Sequence, residues 1–310
     1  MNNVKAIIPA AGFGTRFLPS TKTIPKELLP IIDKPSIHYI IEEGINSGIK
    51  DFVIITSKNK KNIEDYFDFY PELEDMLKTH KKEHLLSNIS KIIKTANFLY
   101  IRQKEQLGLG HAIWTARKAF SKEHLAIFLP DDIITGTIPG MAQLIKVASQ
   151  EKCNVIAVQE VSKEEVNRYG VIAIRRQFSP NLFQVKELIE KPPINKAPSN
   201  LAIIGRYVLS PNIFDSLENL KFGSGGEIQL TDGIQNLLLN GEKVFAYKIQ
   251  GKRYDTGVPL GWLKTNIDFA LKDPRYSKEI MKYLCELDKD ILLMQGQTEA
   301  LQKRKNIQTI

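Results

Sequence analysis

A chain of 310 residues carries enough sequence for one large core, or for a main domain with a smaller attached one. Its 43% hydrophobic and 25% charged residues exclude wholesale disorder, and no apolar run approaches the roughly 18 residues that cross a bilayer. The formal charge of +8 suits a protein that handles polyanions. No basic strand interleaved with aromatics is present, so small anions rather than nucleic acid are the expected partners, and no membrane is expected.

In the first half, short apolar runs alternate with helical periodicity. VKAIIPA (4–10) predicts a strand running straight into a glycine turn. SIHYIIEEGINSGI (36–49) then places Ile37, Ile40, Ile41, Ile45 and Ile49 close to one helical stripe. DFVIIT (51–56) predicts the next strand, and helical patterns cover 62–69 and 72–86. FLYIRQ (98–103), LAIFL (125–129) and NVIAVQEV (154–161) are further strands, separated by helices over 109–120 and 140–149. Nearly continuous apolar strands between helices define an α/β fold, with a mixed, mostly parallel sheet covered by helices on both faces.

From about Tyr169 the rhythm changes. GVIAIRR, FQVKELIEKP and NLAIIGRYVL are strands with shorter connections, either an extension of the same sheet or a small substrate-binding lobe. Helices over 231–239 and 260–271 flank the strand VFAYKI (244–249). After Pro274, Ile280, Leu284, Leu287, Ile291 and Leu292 fall on a helical period, so 275–310 is expected as a helical extension packing on the domain or on a partner chain.

Cys153 and Cys285 lie far apart and read as free thiols of a reducing compartment. The first apolar stretch, Val4 to Ala11, lacks the features of a secretory signal, so a cytoplasmic location is expected. The histidines show no HExxH pattern and no ligand spacing, and GxSxG is absent, so zinc-hydrolase and esterase chemistry have no support.

In an open α/β sheet, ligands bind beyond the carboxyl ends of the strands. Four polar features fall at such ends: the turn PAAGFGTRFLP (9–19), Gln103, Asp131 with Asp132, and Asp255. The turn matches neither GxGxxG nor the P-loop pattern, because Phe17 and Leu18 stand where those need glycine and lysine. Gly12 and Gly14 still allow close backbone approach to a phosphate, and Arg16 and Lys26 add cations. Pro9, Pro19, Pro25 and Pro30 predict a long, largely non-helical segment around them. Asp131 is a candidate ligand for a hard divalent cation, with Asp255 as a second carboxylate. Asp132 reads first as part of an Asx-type turn. Glu190 and Lys191 suit a sugar phosphate equally well as a surface ion pair.

These groups carry a resemblance. AAGFGTRFLP with TKTIPKELLPIIDKP, RQKEQLGLGHA, LPDD, YGV, ELIEKP, SNLAIIGRYVL, GGEIQLTD and IQGKRYDTG follow one another from Lys5 to about Leu271. They resemble the bacterial UTP–glucose-1-phosphate uridylyltransferases, a branch of the sugar nucleotidyltransferase family. The resemblance implies a Rossmann-like, doubly wound domain over 1–274, with a nucleotide half to about 165 and a sugar-phosphate half from about 166. It implies that Ala10, Ala11, Gly12, Gly14, Thr15 and Arg16 line the nucleoside triphosphate, with Arg16 and Lys26 at the reacting phosphates. Gln103 and Gly108 would face the uracil, and Asp131 and Asp255 would hold Mg²⁺. Gly170, Glu190, Lys191, Asn200 and Glu227 would contact glucose 1-phosphate. The family's members form oligomers, so a homo-oligomer, dimer or tetramer, is expected. The alternatives are a thymidylyltransferase, a relative using another sugar 1-phosphate, or a non-catalytic nucleotide-sensing subunit.

Overall fold

The first strand sets the plan of the sheet. In VKAIIP, Ala6, Ile7 and Ile8 are all fully buried, which requires a strand covered on both faces. Ala6 and Ile8 enter one core with Phe52, Ile54, Ala126 and Phe128. Ile7 enters a second core with Val53, Ile55, Leu125 and Ile127. Each such isoleucine contributes about 1.5–3 kcal/mol by leaving water.

The computed structural model describes residues 4–218, 220, 223 and 226–288. In chain order the elements begin with β1 (Val4–Pro9), the short β2 (Pro30–Ile31) and β3 (Lys34–Pro35), α1 (Ser36–Asn46) and β4 (Asp51–Thr56). There follow α2 (Lys61–Phe67), α3 (Pro71–Thr79), α4 (Ser87–Thr95), β5 (Asn97–Arg102) and α5 (Leu109–Thr115). Next come β6 (His124–Phe128), β7 (Asp132–Thr135), α6 (Gly140–Glu151), β8 (Asn154–Glu160), β9 (Gly170–Ser179), β10 (Leu182–Glu190) and β11 (Leu201–Leu209). The last are α7 (Ile213–Glu218), α8 (Leu230–Leu239), β12 (Val244–Lys248), β13 (Lys252–Asp255) and α9 (Pro259–Lys272).

Among the described residues, nine strands form one mixed sheet in the order β5-β4-β1-β6-β11-β8-β12-β10-β9, and it is not mostly parallel as expected, because half of the neighbouring pairs are antiparallel. β5, β4, β1 and β6 run parallel. β11 is antiparallel to both β6 and β8, and β10 is antiparallel to β12 and β9, whereas β8 and β12 pair in parallel. Helices α1, α2, α4 and α6 bury their apolar residues against one face, and α5, α7 and α8 against the other. β7 and β13 form a separate antiparallel ribbon in which Asp132 lies opposite Asp255.

The strands over 4–10, 51–56, 98–103, 125–129 and 154–161 stand where the apolar runs place them. The pattern over 72–86 does not form one helix. α3 stops at Thr79, Lys81 adopts a left-handed backbone (φ 56°), and a short 3-10 turn spans Glu83–Leu86. The β7–β13 ribbon, α4 and α7 have no counterpart in the apolar pattern. A helix covers 277–288, and the expected apolar positions Ile291 and Leu292 lie outside the described residues. Among the described residues, no helix is long and apolar enough to cross a membrane.

Candidate active site

β1 delivers the chain into the glycine turn, where Ala10 donates its N–H to Ile55 O at 2.8 Å and is itself fully buried. Gly14 takes a left-handed conformation (φ 67°), which a side chain would strain. Thr21 Oγ1 donates to Gly14 O at 2.7 Å and locks the bend. The segment after it is less irregular than the prolines suggest, with 3-10 turns at Thr15–Phe17, Ser20–Lys22 and Lys26–Leu28.

The two cations of this segment turn toward other strand ends, Lys26 to a carboxylate and Arg16 to a backbone carbonyl. Lys26 Nζ donates to Asp131 Oδ2 at 2.7 Å, and Arg16 Nη1 reaches Gly257 O at 3.4 Å. Asp131 follows β6. Its backbone oxygen accepts from Thr256 N at 2.8 Å and Thr256 Oγ1 at 2.9 Å, which ties it to the end of β13. Asp255 Oδ1 in turn accepts from Gly257 N at 2.9 Å. A Cβ on Gly257 would stand 2.8 Å from Asp131 Oδ2 and 3.2 Å from Asp255 Oδ1. The two carboxylates therefore converge over a glycine whose missing side chain leaves room between them.

Electrostatics fix the charge states. Burial opposes the Lys26 ammonium, but attraction to Asp131 and Glu27 outweighs it, and its pKa is raised. Burial likewise opposes the Asp131 carboxylate, yet Lys26 holds it below the ordinary carboxylate value. Asp132 is not the expected Asx turn. Its buried side chain accepts from Gly205 N at 2.8 Å and from Arg253 Nε at 2.7 Å, because the ribbon register sets Arg253 within reach. Burial raises its pKa against the pull of Arg253.

Beside this centre, Pro9, Ala11, Gly12, Gly14, Thr15, Gln103, Gly108 and Glu227 line a cleft of about 370 Å³. Gln103 is buried, and its Nε2 lies 2.9 Å from His111 Nδ1 and 3.4 Å from Gly108 O. Gly108 (φ 104°) admits no Cβ, which would meet Ile228 O at 2.7 Å. A neighbouring cleft of about 490 Å³ shares Gly12, Thr15 and Gln103, and adds Lys22, Lys58, Lys60 and Arg102. Local sequence gives no reason to single out those cations. Lys58, Lys60 and Arg102 gather because β4 and β5 end side by side, and Lys22 joins them from the 3-10 turn Ser20–Lys22. Lys60 is buried, donating to both oxygens of buried Glu27 at 2.9 and 2.7 Å.

Gly170 and Glu190 face each other across β9 and β10. A Cβ on Gly170 would stand 3.1 Å from Glu190 Oε2, which accepts from Thr231 Oγ1 at 2.7 Å. Lys191 Nζ lies 3.5 Å from Glu190 Oε1, and its residue is left-handed (φ 45°). This group connects to the first through Tyr169, whose ring carries the Arg253 guanidinium at 5.4 Å. It also connects through buried Tyr207, whose hydroxyl pKa is raised by burial first and then by Glu190 and Asp132. Glu227 sits against Gly108, on the cleft that holds the glycine turn. Asn200 has an exposed side chain, and its backbone oxygen accepts from Val161 N at 3.1 Å.

Among the described residues there is no cluster of three or more His, Cys, Asp or Glu that could hold a metal ion by itself. Asp131 and Asp255 supply two oxygens at one point, which fits a magnesium-like cation that completes its shell with phosphate and water.

The sequence profile of the nucleotidyl transferase family covers residues 5–269, and the chain belongs to that family. It is 50% identical over 286 residues to UTP–glucose-1-phosphate uridylyltransferase 1 of Staphylococcus saprophyticus, covering 92% of this chain and 99% of that protein. A solved UDP-glucose pyrophosphorylase complexed with UDP-glucose superposes with a TM-score of 0.81 at 40% identity, over 88% of this chain and 100% of that one. The UTP-bound enzyme from Acinetobacter baumannii superposes with a TM-score of 0.84 at 36% identity, over 93% of this chain and 100% of that one.

Proposed function

We propose that the chain is a uridylyltransferase that converts UTP and α-D-glucose 1-phosphate to UDP-glucose and diphosphate. The observation that carries this is the convergence of Asp131 and Asp255 over Gly257, with Lys26 and Arg16 beside them and the Gln103–Gly108 cleft adjoining. The likeness to uridylyltransferases over most of the chain supports uracil and glucose as the specific groups.

A phosphate oxygen of the sugar attacks the α-phosphorus of UTP, and diphosphate leaves from the opposite side. The nucleophile is already an anion, so no general base is required. The barrier lies in bringing two polyanions together. Arg16 and Lys26 meet the triphosphate, Lys191 meets the sugar phosphate, and holding both in line supplies much of the acceleration. Mg²⁺ held by Asp131 and Asp255 would neutralise phosphate charge as a Lewis acid. The raised pKa of Lys26 keeps its ammonium charged at neutral pH. Gln103 and Gly108 contact the uracil edge from a cleft too tight for a side chain at position 108.

Ala10, Ala11, Gly12, Gly14 and Thr15 line the nucleotide, and Gly170, Glu190, Lys191, Asn200 and Glu227 serve the sugar phosphate. The sheet is of the Rossmann-like, doubly wound kind, with a nucleotide half to about residue 165 and a sugar-phosphate half over about 166–274. The helix over 277–288 is available to a homo-oligomer, residues 289–310 lie outside the described residues, and the enzyme works in the cytoplasm. Diphosphate release across a matrix of nucleoside triphosphates and sugar 1-phosphates tests the assignment. A preference for dTTP over UTP, or no release with any pair, would displace it.

A further inference from the structure

Arg206 lies in the middle of β11 with no exposed surface. Its guanidinium is saturated by partners. Nε and Nη2 donate to the Glu43 carboxylate of α1 at 3.1 and 2.6 Å. The remaining donors reach the carbonyl oxygens of Gly205 at 2.8 Å, Asp132 at 2.7 Å and Leu129 at 3.4 Å. Leu129 and Asp132 bracket the turn that presents Asp131. Glu43 is itself anchored, because its Oε1 accepts from Met141 N at 2.9 Å at the start of α6. One ion pair thus joins α1, α6 and β11 beneath the Asp131 turn.

Asp132 extends the connection to the second carboxylate. It accepts from Gly205 N, next to Arg206, and from Arg253 on β13. Two residues after Arg253, β13 ends in Asp255, opposite Asp132 in the ribbon.

Stability gives a poor account of this pair. Taking two charges out of water cancels most of their attraction, and apolar residues of similar volume generally serve as well. What a guanidinium adds is direction, since its planar fork fixes several acceptors at once. Carboxylates that share one cation need that fixing, because their orientation sets its affinity.

We infer that Glu43 and Arg206 are positioning residues, holding the Asp131 turn through the Leu129 and Asp132 carbonyls, and Asp255 through Asp132 and Arg253, in their convergent geometry. This rests on the assignment of Asp131 and Asp255 to a divalent cation.

The test replaces the pair as a unit, Glu43→Leu with Arg206→Met, so that neither charge is left buried alone. Glu43→Asp, which keeps the charge and shortens its reach, is the milder companion. Each protein is measured for thermal midpoint, for kcat and both KM values, and for Mn²⁺ affinity by electron paramagnetic resonance with UTP and no sugar phosphate. The double variant is expected to fold with a midpoint near the parent's. Its KM for glucose 1-phosphate should stay within about threefold, while kcat and Mn²⁺ affinity both fall about ten- to hundredfold. Glu43→Asp should move both in the same direction by less. A folded double variant with parental kcat and Mn²⁺ affinity would overturn the proposal. If the double variant does not fold, a Glu43→Asp protein that keeps both values overturns it equally. Asp131→Asn separates the two levels: unchanged Mn²⁺ affinity there defeats the site assignment itself. Lost affinity there, beside a parental double variant, defeats the positioning role alone.

Discussion

Lys26 Nζ and Asp131 Oδ2, 105 positions apart in the chain, form a 2.7 Å ion pair at the point where the two candidate metal-binding carboxylates converge. The lysine therefore sits on the very oxygen that a bound cation would share. Lys26→Ala is expected to lower kcat/KM about a hundredfold, the loss typical of one preorganised donor (roughly 3 kcal/mol). Diphosphate release by the purified variant checks this, and near-parental turnover would remove Lys26 from the chemistry.

The same pair predicts a flat pH response in the neutral range. Asp131's folded pKa lies below its ordinary 3.8, so its contribution to stability is present above that value and is lost as pH falls through the folded one. Lys26's folded pKa lies above 10.5, so its contribution is present below that value and is lost as pH rises through the folded one. Lys26→Met leaves Asp131 buried without the cation that lowers its pKa, so the difference in melting temperature between parent and variant should stay constant from about pH 7 to about pH 9 and shrink as pH falls further and the variant's carboxylate takes up a proton. A difference that changes between about pH 7 and about pH 9 would show that one partner of the parent's pair titrates there.

Gly257 tests the convergence of the carboxylates without altering charge. A Cβ there would stand 2.8 Å from Asp131 Oδ2, so Gly257→Ala should crowd the space between the two carboxylates. Half-maximal activation by Mg²⁺ is expected to need about tenfold more metal, and Asp131→Asn to lose most metal-dependent activity. Metal titrations of initial rate measure both. An unchanged activation curve for Gly257→Ala would mean that the cation sits elsewhere.

Gln103 lies buried between His111 and Gly108 and lines the cleft beside the glycine turn. Gln103→Ala should narrow the preference for UTP over CTP by about tenfold or more, because a polar edge contact is lost. Competition between the two triphosphates at fixed glucose 1-phosphate reads this directly. A ratio equal to the parent's would place base recognition on other groups.

The two thiols should behave oppositely. Cys153 is buried and its pKa is pushed up to about 12, by burial first and Glu151 second, whereas Cys285 is exposed. At about pH 8 a disulfide reagent should consume Cys285 quickly and reach Cys153 only after denaturation. Mass spectrometry of the modified peptides identifies which has reacted.

The amino-acid sequence by itself determined the features whose causes are local. Runs such as AIIP and LAIFL can only be strands covered on both faces, and the turn at Gly14 needs a residue that tolerates its left-handed backbone. Because ligands gather at strand ends, the same local patterns also named Arg16, Lys26, Gln103, Asp131 and Asp255 together. Tertiary structure decided everything that depends on which distant segments become neighbours. β11 enters between β6 and β8, although it follows β9 and β10 in the chain. The polar strand KRYD finds its partner only in DIIT, far earlier in the chain, so neither carried a recognisable period. That pairing turned Asp132 inward to Arg253 and away from the site, and it set Asp255 beside Asp131. The charges of Arg206 and Glu43 look like surface residues in sequence. They are buried because only a folded β11 brings a guanidinium, a carboxylate and three carbonyls within hydrogen-bond range.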